Sequence, residues 1–234
     1  MTPLTEQKSL NLHDETTVCD QVQHSLFRAV VGKLQYITGV RPDLMLATKC
    51  LSYKLASPTL TDLTRAKKVL RYSKGIRELN LYLTMPALKP NDLNKTLKHI
   101  TGYSDADWAG DPVTKKSTSC TMCYIDQFLL TSECRGQGTV ALSSGESELY
   151  ALGAQSAELI FAQAILKEIG LSFLIHARTD SSTARAVATK QGASRKMKHI
   201  HTRFLFIQDL LFRKLLTMSS VKTDVNPSDS GRKR

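Results

Sequence analysis

A chain of 234 residues with 41% hydrophobic side chains has enough apolar material for a core, which excludes wholesale disorder and leaves room for one large domain or two modest ones. A net charge of +11 says nothing about fold; it favours polyanionic partners through phosphate contacts, although a merely basic surface gives the same figure. The sequence has no run of about 18 apolar residues, and Met1 to Lys8 lack the apolar core of a signal peptide, so the reading is an intracellular, non-secreted protein without a transmembrane helix.

Residues 1–20 are polar and aperiodic and read as a flexible lead-in. Leu26, Val30, Leu34 and Ile37 then recur at helical spacing, and Gly39 punctuates. Pro42 suits the first turn of a second helix with Leu46, Cys50 and Leu51 on its apolar face. After the break at Ser57-Pro58-Thr59, a third helix is predicted from Thr61 to Lys74, with Ala66, Val69 and Leu70 inward and Gly75 as its stop. Leu79–Leu83 reads as a short strand, and the cluster of Pro86, Pro90, Asn91 and Asp92 marks a domain boundary. The division is therefore a helical segment over residues 21–90 and a second domain over 95–230.

The second half changes period. His99–Asp105 and Thr118–Ile125 read as strands, and Phe128–Glu133 as a third, joined by a tight turn at Asp126-Gln127. A long helix follows from Gly145 to Ile169, stopped by Gly170, then a buried strand Phe173–Thr179 and a short helix Ser181–Lys190. Lys196–Leu215 has a basic start and an apolar stripe of Phe204, Ile207, Leu211 and Leu215, and Thr217–Lys222 reads as a last strand. Three strands in series followed by helix, strand and helix imply an α/β fold with a mixed sheet flanked by helices.

Phosphodiester hydrolysis with two metal ions needs acidic side chains converging from separate elements. Three stand where such a site is buildable: Asp105 at the end of the first strand, Glu148 in the first turns of the long helix, and Asp180 at the close of Phe173–Thr179. The carboxyl ends of strands are where open α/β sheets bind ligands. Each acid alone also has a plain reading as a solvated charge or a cap. Asp180 suits capping of the helix that begins at Ser181, and Glu146 and Glu148 both suit a helix N-terminus.

The motifs YSDADWAGD, KSTS, TVALSSGESELYAL, TDSSTARAVA and KMKHIHTRFLFIQ, in that order, resemble the ribonuclease H domain of copia-type retrotransposon polyproteins. FRAVVGKLQYITGVRPDLMLATKCLS and AKKVLRYSKG resemble the segment that follows the polymerase palm in the same polyproteins, so the likeness runs from about Phe27 to Asp229. It implies a ribonuclease H-like five-stranded mixed sheet preceded by a helical remnant of the reverse transcriptase. It also implies cleavage of the RNA strand of RNA–DNA hybrids with two Mg²⁺ ions, Mn²⁺ serving in their stead. Carried over by motif, Asp105, Glu148 and Asp180 are the metal-binding catalytic carboxylates, Glu146 is a bystander, and Asp229 of Asn226-Pro227-Ser228-Asp229 is the candidate fourth. A helix cap is the competing reading of Asp229. The implied partners are the hybrid and the upstream polymerase segment, and the implied location is a cytoplasmic retroelement particle or the nucleus.

The basic run carrying Arg195, Lys196, Lys198 and His199, with Arg203 beyond it, is the candidate grip on the hybrid backbone; a solvated helix face is its plain alternative. His199 and His201 fall on different faces of a helix, which argues against zinc. Five scattered cysteines read as reduced thiols, and Cys120 and Cys123 as one core and one surface thiol on a strand. Trp108 reads as packing that supports the turn after Asp105, with contact to nucleic acid as its alternative.

Some positions depart from the family pattern. Cys120 stands where the family has glycine, Thr131–Gly136 replace a tryptophan-containing strand, and the paired palm aspartates are absent. The family continues into a helix carrying the fourth carboxylate, which predicts a frayed Asp229 and weak metal binding in a chain that stops at Arg234. Two rivals to the nuclease follow from these departures: a catalytically inactive relic that only binds nucleic acid, and a module active only when joined to the polymerase segment.

Overall fold

The computed structural model describes residues 17–78, 98–111, 113–190 and 201–231. They fall into two compact units, one within Met1–Leu81 and one within Tyr82–Arg232. The lead-in before residue 17, the predicted strand Leu79–Leu83 and the proline-rich boundary lie outside the described residues.

In the first unit α1 spans Gln21–Ile37. Asp20 opens it with a reciprocal cap: its carboxylate accepts from the Gln23 amide at 2.8 Å while the Gln23 side chain accepts from the Asp20 amide at 3.1 Å. A 3-10 turn at Pro42–Leu44 leads into α2, Met45–Ser52, with the proline in the first turn as its fixed φ dictates. Thr59 and Asp62 repeat the reciprocal cap at the start of α3, Leu60–Gly75. The core gathers Phe27, Val31 and Leu34 of α1, Leu51 of α2 and Leu63, Ala66 and Val69 of α3.

Two predicted faces are corrected. Leu26 is 52% exposed, because Phe27, Val31 and Leu34 form a second row with the same spacing and the bulkier aromatic ring takes the interior. Leu70 is 43% exposed, since the inward row of α3 is Leu63, Ala66 and Val69, and the next residue is turned about 100° away. Cys50, also predicted inward, is only partly buried.

The second unit opens with β1, Lys98–Asp107, β2, Thr118–Ile125, and β3, Phe128–Gly136, paired antiparallel in succession. Asp126 adopts φ 53° in the turn between β2 and β3, a left-handed geometry that its short polar side chain tolerates. α4 runs over Ser144–Glu168 behind the cap of Ser143, and Gly170 with φ 83° ends that stretch as a left-handed glycine stop. β4, Phe173–Thr179, follows, then α5, Ser182–Thr189, α6, His201–Phe212, and β5, Leu216–Ser220. The sheet order is β3-β2-β1-β4-β5, with β4 parallel to both β1 and β5. This is a five-stranded mixed sheet flanked by helices, the architecture the sequence predicts.

Leu149, Leu152 and Leu159 of α4 pack on Ile100 of β1, Ile175 and Ala177 of β4, Ile207 of α6 and Leu216 of β5. By length and composition α4 matches a membrane span, but here it is the central helix of this core. In α6, Ile207 is buried as predicted and Leu210 joins it, while Leu215 lies past the helix end and is exposed. Cys120 and Cys123 are both buried, so neither is a surface thiol; the Cys120 sulphur lies 3.0 Å from that of Cys134, its partner across β2 and β3.

Candidate metal centre

Pairing of β1 with β4 brings the first and third acids together. The parallel register sets Ser104 beside Thr179, so Asp105, two residues before the end of β1, and Asp180, the first residue past β4, come side by side where the pairing of the two strands ends. Asp105 is nearly fully buried, whereas Asp180 and Glu148 are half-buried. Glu148 comes from the second turn of α4, where its Oε1 accepts from the Ala106 amide at 3.2 Å. One carboxylate oxygen from each of Asp105, Glu148 and Asp180 lies within 4.8 Å of the others. Three hard oxygen donors from three elements, one of them drawn out of water, form a donor set for a metal ion.

The competing reading of Asp180 as a helix cap is overturned. Ser181 is the cap: its Oγ accepts from the Ala184 amide at 3.1 Å. Asp180 instead accepts at Oδ2 from the Thr223 hydroxyl at 2.8 Å. Glu146 is engaged locally, accepting from the Leu142 amide at 2.9 Å and the Tyr150 hydroxyl at 2.7 Å. Two residues, about half a turn of helix, thus separate a carboxylate that builds the helix start from one that faces β1.

Asp229 stands outside the three-acid set. The fraying expected of it is corrected: it is buried in a 3-10 turn, Pro227–Gly231, that packs on β1 and β2. Asn226 is the reason. Its amide nitrogen donates to the Ser104 carbonyl at 3.2 Å, and its amide oxygen accepts from the Ser228 hydroxyl at 2.6 Å and the Ser228 amide at 3.2 Å. Sequence reasoning named this motif only for its aspartate and passed over Asn226 and Thr223. An asparagine followed by proline and serine is itself a signal for a side-chain-closed turn.

Around the centre, the Trp108 indole donates to the Ala141 carbonyl at 3.0 Å, tying the turn after β1 to the approach to α4. Its ring is 49% exposed, so it both packs and faces solvent. Gln137 donates to the Ser119 hydroxyl and the Ser147 carbonyl, joining β2 to the first turn of α4. Arg195, Lys196, Lys198 and His199 lie outside the described residues; Arg203 falls within α6, and its side chain lies outside them too.

No protein-family model matches the chain. Over 98% of its length it is 30% identical to the retrovirus-related Pol polyprotein from transposon RE2 of Arabidopsis thaliana, of which it covers 15%. An uncharacterized mitochondrial protein of the same plant is 33% identical over 162 residues, 69% of this chain and 64% of that protein. The chain therefore spans less than two thirds of either relative. Among solved structures, LC11-RNase H1, isolated from compost, aligns over 57% of this chain and 91% of its own, with 17% identity and a TM-score of 0.44.

Proposed function

We propose that this chain, which belongs to the retrovirus-related Pol polyproteins of transposons, hydrolyses the RNA strand of RNA–DNA hybrids at the carboxylates of Asp105, Glu148 and Asp180. The observation that carries the reading is the convergence of those three acids within 4.8 Å, from a strand, a helix and a second strand. Relatedness to Pol polyproteins and the mixed sheet order support it. The donor set is all oxygen, which suits a pair of Mg²⁺ ions, with Mn²⁺ as a substitute. When bound, such ions supply an activated water and a counter-charge for the leaving 3′ oxygen.

The chain's own part is to hold the ligands. Asp105 is carried on the central strand, Glu148 is fixed by the Ala106 amide, and Asp180 by the Thr223 hydroxyl. Asp229, buried beside β1, is proposed as the fourth carboxylate. Selection of the RNA strand would rest on 2′-hydroxyl contacts. The basic residues Arg195, Lys196, Lys198, His199 and Arg203 would supply phosphate contacts that do not read sequence. The linked partner is the polymerase segment of the same polyprotein.

The test is a Mg²⁺-dependent assay on a labelled RNA–DNA hybrid. Cleavage by the chain that disappears in Asp105→Asn supports the nuclease. Salt-sensitive binding without cleavage, in the chain alone and with the polymerase segment added in trans, leaves the inactive relic as the better description.

A further inference from the structure

The segment that follows β5 makes a series of bonds across the strand ends that carry the acids. The Val221 amide donates to the Thr179 carbonyl at 3.2 Å, the last residue of β4. The Thr223 hydroxyl then donates to Asp180 Oδ2 at 2.8 Å. The Asn226 amide donates to the Ser104 carbonyl at 3.2 Å, part of the peptide that joins Ser104 to Asp105. β4 and β1 are thus gripped in succession by one short stretch of chain, at the register where their pairing ends and Asp105 and Asp180 stand side by side.

We propose that residues 221–228 form a positioning strap for the metal centre, with Thr223 orienting the Asp180 carboxylate and Asn226 holding the Asp105 peptide. This deepens the nuclease reading and rests on it. The physical basis is the outer shell of a metal site. A ligand that is hydrogen-bonded on its far side arrives already oriented, and binding then does not have to stop its rotation. Asp180 needs such a restraint. It is the first residue beyond β4 and does not cap α5, so neither strand nor helix fixes its side chain. Asn226 is buried and its amide is used on both sides, as donor to Ser104 and as acceptor from Ser228. Its bonds transmit the fold of the turn to β1. The strap acts through these two side chains whether or not Asp229 contributes a ligand, so Thr223 and Asn226 are positioning residues.

The experiment titrates Mn²⁺ into the full chain by calorimetry, for the parent, Asp105→Asn, Thr223→Val, Thr223→Ser and Asn226→Ala, with a thermal melt of each. Thr223 is exposed, so valine there has little packing to disturb. Removal of an outer-shell partner typically weakens metal affinity about 10-fold or more. The expected result is a loss of that order in Thr223→Val with an unchanged melting temperature, restoration in Thr223→Ser, and a loss in Asn226→Ala. If the parent binds Mn²⁺, Asp105→Asn does not, and Thr223→Val binds as tightly as the parent, the strap is overturned while the metal centre stands. If the parent itself takes up no Mn²⁺, the metal reading falls and the strap falls with it.

Discussion

The Ala106 amide donates to Glu148 Oε1 at 3.2 Å, joining residues 42 apart in the chain and fixing the second turn of α4 against the end of β1. The bond uses the carboxylate as an acceptor, which a neutral amide oxygen also provides, while holding a cation needs its charge. Glu148→Gln should therefore keep the fold, with an unfolding free energy within about 1 kcal/mol of the parent. It should lose Mn²⁺ binding and hybrid cleavage. Glu148→Ala should lose both functions and in addition about 1 kcal/mol of stability, the worth of a typical hydrogen bond. Urea titrations beside calorimetry decide it: equal destabilisation by both variants would remove the distinction.

Asp180 and Ser181 divide the labour at the end of β4, and their variants should fail in opposite ways. Ser181→Ala deletes the cap of α5 and should cost about 1 kcal/mol while leaving metal affinity near the parent value. Asp180→Asn should leave stability nearly unchanged and abolish metal binding. A large loss of stability in Asp180→Asn would return Asp180 to a structural role.

Gly145 in the first turn of α4 sits against α5. A Cβ built there would lie 2.6 Å from Cγ2 and 3.2 Å from Cβ of Thr183. Alanine in a helix normally gains up to about 1 kcal/mol over glycine, but overpacking costs about 1–3 kcal/mol. Gly145→Ala should therefore be net destabilising. Adding Thr183→Ser removes the clashing methyl and should recover most of the loss, a coupling that a double-mutant cycle measures directly. A Gly145→Ala chain more stable than the parent would show that the two helices separate freely.

Cys123 carries a pH signature. Burial, the main cause, raises its thiol pKa from 9.0 to about 11; Glu158 and Glu133 push the same way, and the hydrogen bond with Thr131 opposes them. Between those values the folded chain keeps a proton that the unfolded chain releases, so unfolding gains as pH rises. This stability is fully present below pH 9 and is lost as pH climbs towards 11, about 3 kcal/mol in all. Tyr124, raised mainly by burial, titrates in the same direction and adds to the fall. Melting temperatures of the parent and Cys123→Ala between pH 8 and 11 should converge as the pH rises. Parallel curves would contradict the buried thiol.

What could be read locally was legible. The alternating strand Phe173–Thr179, the short strand Thr118–Ile125 closed by the turn at Asp126, and the helix starts near Gln21 and Ser144 with their caps depend on residues within a few positions, so the amino-acid order specifies them directly. The motifs also named Asp105, Glu148 and Asp180 in order. Which of two equally spaced apolar rows turned inward was not legible: Leu26 and Phe27 both satisfy a helical period, and only packing against the neighbouring helices decides between them. By position alone Glu146 and Glu148 are equivalent as helix-start acids; the motif singles out Glu148, and the physical difference comes from the Leu142 and Tyr150 contacts that engage Glu146 and the Ala106 amide that donates to Glu148. The approach of Asp180 to Asp105 comes from parallel pairing of strands far apart in the chain, and the bonds from Thr223 and Asn226 arrive from later still. Such contacts have no local pattern in the sequence, because the free energy that selects them exists only once the sheet has formed.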